Sequence, residues 1–398
     1  MPGDHGYFTP MQSPRAGTFI SMYDKTKPVP KGFEPITIRS TTFQNRLWVS
    51  PMCQYSCPQS GELTDWHLVQ LGSFASRGAS LTMVEATAVS PEGRNTKEDA
   101  GLWTASQIPS FRRVVDFIHS QGQKVGIQLQ HCGRKASVLA PWLGYRPARR
   151  EENGFPDDLI APSAIPYRDD GLWPTPTALS KEMIRKSIND FVNSAKLAVE
   201  AGFDVVEIHA AHGYLIHQFC SPITNKRTDE YGGSFENRVR LALEIVRGIR
   251  AAIPDRTLLF YRISATDWIS DRDSWTPEES VRLCQLLQQL GVDLVDVSSG
   301  GLVPEQQLPA AQPAYQAPLS QIIKSAVPGL LTASVGMIRD AQTVEQVLST
   351  GMADVVFIAR EFARNPSLVL NIADALGARV KWPTQLHRSA PKHIDSEL

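Results

Sequence analysis

The sequence predicts an α/β protein folded as a single (β/α)8 barrel, with a lid inserted after the third strand and an N-terminal extension. Three observations carry this expectation: eight short apolar runs rich in β-branched residues, a helical pattern after each, and polar or unusual residues closing most of the runs. A chain of 398 residues divides naively into two or three domains, yet barrels with insertions fill this length as one unit.

The runs lie at 46–52, 82–89, 125–130, 205–210, 258–264, 294–299, 330–336 and 354–360 and read as buried parallel strands. Helical patterns follow at 65–77, 107–121, 181–201, 234–252, 277–290, 318–326, 340–350 and 361–376. Start signals agree, because Ser180, Ser234 and Thr276 stand at N-cap positions and Pro277 opens its helix. Gly202 and Gly291 stand where two helices should stop. Residues 1–40, rich in Gly, Pro and Ser, read as an extension that wraps the barrel or is partly disordered, and 381–398 as a C-terminal tail. The barrel is expected over 41–380. Residues 132–179 make a connection too long to be structureless and are read as a lid over the mouth. An independent second domain is the bland alternative, disfavoured because the insert has few apolar residues for a core of its own.

Composition narrows the function. With 42% hydrophobic and 20% charged residues the chain reads as an ordinary globular protein. Forty Lys and Arg against 41 Asp and Glu leave a net charge of −1, which argues against nucleic acid or an anionic membrane as partner. No run approaches the roughly 18 apolar residues of a membrane span. Five scattered cysteines, Cys53, Cys57, Cys132, Cys220 and Cys284, and no leader-like apolar segment near the start predict a reducing, cytoplasmic setting. Cys53 and Cys57 lack a second pair or a His cluster beside them, so no metal site is expected.

Chemistry in such barrels sits at the C-terminal ends of the strands. There the sequence places Ser50, Pro51, Met52, Cys53, Gln54 and Tyr55 after strand 1, Gln128, Gln130 and His131 at strand 3, His209 and His212 at strand 4, Arg262 at strand 5 and Arg360 at strand 8. Residues three apart on a strand face opposite sides, so His209 and His212 converge only if the chain has left the strand by His212. Two neutral imidazoles there can polarise one carbonyl oxygen while Tyr214 supplies a proton. A metal pair is the rival reading, without an Asp, Glu or Cys at a spacing that completes it; buried histidines satisfied by backbone are the bland one. The segment 227–238, with its double glycine, marks a tight turn into a helix. At strands 7 and 8, Gly336 admits close backbone approach and Arg360 can pair a phosphate, which points to a phosphorylated cofactor.

The strings SPMCQY (50–55), GIQLQHCGRKA (126–136), VVEIHAAHGYLIHQFCSPITNKRTDEYGGSFENR (205–238) and ASVGMI (333–338), in this order, resemble the Old Yellow Enzyme family of FMN ene-reductases. Cys53 is similar to the thermophilic-like branch, where the other branch has Thr. The resemblance spans about Asn45 to Arg388. It implies a flavin ring bordered by Ser50, Pro51, Met52, Cys53, Ala86, Gln128, His209 and Arg262, and an FMN phosphate held by Gly336, Ala359 and Arg360. It implies that His209 and His212 bind the substrate carbonyl oxygen, Tyr55 orients the substrate, Tyr214 donates the proton and Cys53 tunes the flavin. NAD(P)H would deliver hydride to flavin N5, and the reduced flavin would reduce the C=C bond of enones, enals or maleimides. Two departures stand out: Cys132 replaces the usual Ala, and the segment LHRSAP (386–391) lacks the Tyr that accompanies an Arg reaching a neighbouring subunit's site. Arg388 is the candidate for that Arg, and a homodimer or higher homo-oligomer is expected.

Three rivals share a flavin barrel. A dienoyl-CoA-reducing or amine-oxidising type would add an iron–sulfur cysteine cluster and a nucleotide-binding domain, for which the sequence has no motif. An RNA-modifying type would need a basic surface. An isomerase or oxidase of secondary metabolism would keep FMN without net reduction, and Tyr214 argues against it.

Overall fold

The computed structural model describes residues 10–391; parts of the expected extension and tail, 1–9 and 392–398, lie outside the described residues. Eight parallel strands close into a barrel: β1 Leu47–Val49, β2 Leu81–Ala88, β3 Lys124–Gln130, β4 Val205–Ala210, β5 Leu258–Ser264, β6 Leu294–Ser298, β7 Leu331–Val335 and β8 Val355–Ile358. Each pairs with its neighbours in chain order, and β8 closes on β1. Eight main helices surround them: α1 Asp65–Ala75, α2 Ile108–Ser120, α3 Lys181–Ala201, α4 Arg240–Ala252, α5 Pro277–Gln289, α6 Ala317–Ala326, α7 Ala341–Ser349 and α8 Leu368–Ala375. The fold is a (β/α)8 barrel.

Local chemistry explains the boundaries. Ser180, Ser234 and Thr276 each accept from the backbone N–H three residues on, at 3.2, 3.4 and 3.3 Å. Gly202 closes α3 in the left-handed conformation, φ 102°. Two expected helices are each broken. The pattern at 234–252 divides into Phe235–Arg238 and α4, because Val239 rests at φ −86°, ψ −6° while Arg238 folds inward to the Gly233 and Cys220 carbonyls. The pattern at 361–376 divides into Arg360–Arg364 and α8, because Pro366 forces Asn365 out of the helical region, to φ −137°, ψ 88°.

The barrel interior is stacked in two layers. The lower one is apolar, with Trp48, Leu81, Met83, Val205, Leu258, Phe260, Leu294, Ala333, Val355 and Phe357 packed together. The hairpin Ile36–Ile38/Thr41–Phe43 plugs it from below: Phe43 lies 4.6 Å from Trp48, which stacks on Phe260 at 5.8 Å. That hairpin crosses residue 40. Further up the extension, Phe19–Met22 pairs antiparallel with Ala378–Val380. Because strand residues two apart share a face, Trp48, Val205, Phe260 and Leu294 below are followed two positions on by Ser50, Glu207, Arg262 and Asp296 in the upper layer, which Gln128 joins from β3.

Segment 132–179 packs against the loops that follow β4 and β6 with little regular structure, a two-residue strand pair Ile160–Ala161/Thr177–Ala178 being its main one. Buried Arg134 anchors it, donating to the carbonyls of Leu302 and Pro166 at 2.9 and 3.0 Å. From the 227–238 turn, Arg227 donates to the carbonyls of Pro162 and Leu179 at 3.1 and 2.6 Å, so that turn clasps the later part of this segment. No helix among the described residues is long and apolar enough to cross a membrane.

Candidate active site

β4 ends at Ala210, and His212 takes a left-handed backbone, φ 58°. Gly213 follows at φ 73°, where a Cβ would meet the Gly301 carbonyl oxygen at 2.2 Å. Only glycine admits this backbone-to-backbone contact between the β4 and β6 loops. The turn brings His209 and His212 to one place, ring centroids 5.0 Å apart at 89°. Tyr214 completes the group, its ring 5.0 Å from His209 and packed on Cys132, Ala136, Leu159 and Phe155 of segment 132–179.

Electrostatics hold this cluster neutral. Burial, with the neighbouring imidazole and the Arg262 and Lys135 cations, keeps His209 well below the usual histidine range. Burial, Arg262 and Lys135 do the same to His212. His209 Nδ1 accepts from the Ala211 N–H at 3.3 Å, which leaves the ring hydrogen on Nε2 as a donor. His212 Nε2 lies 2.7 Å from Ser298 Oγ, which fixes its ring plane. Burial pushes the Tyr214 phenol well above its ordinary value, so it is protonated through the neutral range.

The supporting residues escaped sequence reasoning. Lys135, 7% exposed, donates to the carbonyls of His212 and Gly301 at 2.8 and 2.9 Å and so staples the two loops together. Its ammonium lies 5.2 Å from the Tyr214 ring, and burial lowers its pKa to about 8. Ser264 accepts from the His212 N–H at 2.9 Å, and Gln316 joins Ser299 to the Val335 carbonyl at 2.6 and 2.7 Å. Buried lysine within GRK (133–135) was the available signal; the serines and Gln316 carry no motif.

Ser50, Ala86, Gln128, His209 and Arg262 are all buried around the barrel axis, with Pro51, Met52 and Cys53 half-buried beside them. Arg262 donates to Ser50 Oγ at 2.9 Å, linking β5 to β1 across the barrel. β2 bulges between Val84 and Ala86, which brings Ala86 into the mouth and turns Glu85 toward α1. Burial, reinforced by Asp99 and Glu85, pushes the Cys53 thiol well above its ordinary value, so it is not a thiolate at neutral pH. Tyr55, at φ 51°, meets Trp142 of segment 132–179 edge to face at 5.6 Å. At the opposite side Gly336 stands at φ 112°, where a side chain would strike Gln316 and Tyr315; Ala359 leads into Arg360, which is exposed at the start of a short helix. These residues fit FMN: buried amide and guanidinium groups suit the polar edge of a flavin ring, and the side-chain-free backbone at Gly336 with the exposed Arg360 suits its phosphate.

Arg388 is not brought to this group. It is exposed in the turn Thr384–Ser389, which Gln12 ties to the N-terminal extension through Thr384 and Gln385. Cys57, His67 and Glu85 do gather, with ligand atoms within 4.8 Å, a cluster the sequence spacing had not suggested. His67 Nδ1 accepts from the Thr64 N–H at 2.9 Å, so Nε2 keeps its hydrogen and faces Glu85 at 3.4 Å. His67 caps α1 through Nδ1, and that tautomer turns an N–H rather than a lone pair toward Glu85, which denies Nε2 to a cation.

The model of the NADH:flavin oxidoreductase / NADH oxidase family matches residues 31–378. An NADH:flavin oxidoreductase of Gibberella zeae is 50% identical over 391 residues, 96% of this chain and 92% of its own. An NADPH dehydrogenase of Geobacillus thermodenitrificans is 40% identical over 357 residues, 89% of this chain and 97% of its own. Among solved structures, morphinone reductase superposes with a TM-score of 0.71 at 26% identity, over 92% of this chain and 93% of its own. A 2-naphthoyl-CoA reductase complex shares the fold, with a TM-score of 0.78 at 24% identity; this chain, covered to 89%, spans only 53% of that longer one. With the barrel, its polar mouth and these matches in agreement, the chain belongs to the Old Yellow Enzyme family of NAD(P)H-dependent FMN oxidoreductases.

Proposed function

We propose that the protein is an ene-reductase acting on the activated C=C bond of α,β-unsaturated carbonyl compounds: enones, enals and maleimides. The observation that carries this is the meeting of two neutral imidazoles and a protonated phenol at one mouth of the barrel. When bound, FMN supplies a hydride carrier that accepts from NAD(P)H and gives to the substrate β-carbon. His209, through Nε2–H, and His212 hold the carbonyl oxygen and stabilise the negative charge that grows there. Tyr214 delivers a proton to the α-carbon. Tyr55, with Trp142 against it, orients the substrate from the lid side. Ser50, Pro51, Met52, Cys53, Ala86, Gln128 and Arg262 border the flavin ring, with Cys53 tuning it; Gly336, Ala359 and Arg360 take the phosphate. Arg388 serves a neighbouring subunit in a homodimer or higher homo-oligomer. The setting is cytoplasmic.

The test is anaerobic oxidation of NADPH by the FMN-loaded protein, with and without 2-cyclohexenone or a maleimide. The reading requires acceptor-dependent oxidation and recovery of the saturated ketone or succinimide. Oxidation that no enone or maleimide accelerates would defeat it.

A further inference from the structure

One guanidinium faces two carboxyl groups in the upper layer of the barrel. Glu207 on β4 and Asp296 on β6 are both fully buried, and Arg262 on β5 is 4% exposed. Arg262 Nε donates to Asp296 Oδ2 at 2.6 Å, and a terminal nitrogen of the same guanidinium reaches that oxygen as well. Glu207 Oε1 stays 3.8 Å from Nε. Its hydrogen-bond donor is the Gln128 amide, at 2.7 Å, and Oε2 has no partner among the described residues. The cation is therefore matched to Asp296. An ionised Glu207 would be a surplus buried anion, which an interior of low polarity strongly disfavours.

We propose that Glu207 is held as a neutral carboxylic acid in the working enzyme, and that its proton sets the charge of the Gln128–Arg262–Asp296 layer and thereby the reduction potential of the flavin. Glu207 is then a positioning residue acting through Gln128 and Arg262. The proposal rests on the reading that the flavin ring lies over this layer. Burial pushes the Glu207 carboxyl up to about 8, Arg262 opposing and Asp296 reinforcing the shift. The charged groups facing it are Arg262 from β5 and Asp296 from β6; β3 contributes the neutral Gln128, and His209 on its own strand is held neutral by burial. The folded pKa is raised above the ordinary carboxylate value, so the acid persists below about 8 and a negative charge appears as pH rises through it. Reduction of a flavin adds negative charge at the ring. An ionised Glu207 opposes that, and the potential should fall more steeply above this pH.

Glu207→Gln copies the shape of the neutral acid and cannot ionise. Potentials of the FMN-loaded wild type and variant, followed spectroelectrochemically from about pH 6 to about pH 9.5, should coincide at the acid end and separate above about pH 8, the wild type lower. A constant offset, or a wild type already lower at the acid end, would overturn the proposal. A second measurement does not need the variant to bind FMN. In infrared difference spectra of the FMN-free wild type with 13C-labelled glutamate, a protonated Glu C=O band should be present at neutral pH and vanish as pH is raised. Absence of the band at neutral pH sinks the proposal while leaving the flavin placement standing. A band that titrates beside potentials that coincide at every pH would instead refute the tuning role by showing that the flavin does not lie over this layer.

Discussion

The Tyr214 ring stands 5.0 Å from that of His209 and perpendicular to it, at 88°. The phenol and the imidazole thereby face one small volume, with the Lys135 ammonium 5.2 Å from the phenol ring and Cys132 packed beside it. On that pairing rest the roles proposed for this site in a barrel common to many chemistries.

His209→Ala should weaken phenolic ligands, whose oxygen imitates the developing enolate. Loss of one hydrogen bond to a charged oxygen corresponds to about 1.5–3 kcal/mol, or roughly 10- to 150-fold in Kd. Titration of flavin absorbance with p-hydroxybenzaldehyde reads it. An unchanged Kd would remove His209 from the carbonyl site.

Lys135→Met should loosen the staple between the β4 and β6 loops. Two buried carbonyls lose a charged donor, so a destabilisation of about 2–4 kcal/mol is expected by denaturant unfolding. Substrate KM should rise with it, because the His212 carbonyl is one of the two. Wild-type stability and KM would show that the loops hold without the lysine.

Acid should unfold the protein through its neutral buried histidines. His131 is pushed down to about 4 by burial, with Glu92 opposing, and His209 and His212 are also lowered. The unfolded chain binds these protons near pH 6.5 while the folded one does not, so stability is lost as pH falls from about 6.5 toward 4. For His131 alone the loss is on the order of 3 kcal/mol at the acid end. His131→Asn should flatten the pH dependence of unfolding between those limits; an equally steep dependence would place the linkage elsewhere.

Most of the barrel was legible because strands buried on both faces leave continuous apolar runs, and because Ser180, Thr276 and Gly202 announce helix ends. The convergence of His209 and His212 was legible through spacing: three apart, they require the turn that φ 58° at His212 provides. Pro366 announced a break that the apolar periodicity of 361–376 concealed. What stayed hidden depends on contacts far apart in sequence. Lys135 meets Gly301 across 166 residues, and Glu207 comes to stand beside the Arg262–Asp296 pair only once three strands lie side by side. The burial that holds the site histidines neutral likewise exists only in the closed barrel.

Cys53→Ala should shift the flavin midpoint by tens of millivolts, where about 30 mV equals ~1.4 kcal/mol for two electrons, and leave turnover measurable. The elevated thiol pKa supports tuning over nucleophilic attack. Complete loss of turnover with FMN still bound would point to covalent chemistry.

Truncation after Pro383 removes Arg388. The shared-site reading expects a higher KM or a weaker oligomer, followed by light scattering and steady-state kinetics. A monomer of unchanged kinetics, before and after truncation, would contradict it.

The proton assignment is tested most directly by stopped-flow separation of the two half-reactions in Tyr214→Phe. Flavin reduction by NADPH should proceed at the wild-type rate, while reoxidation by 2-cyclohexenone slows by ~10²- to 10⁴-fold, the usual contribution of a positioned general acid. Reoxidation as fast as in the wild type would show that another group delivers the proton, and equal slowing of both half-reactions would contradict the role given to Tyr214.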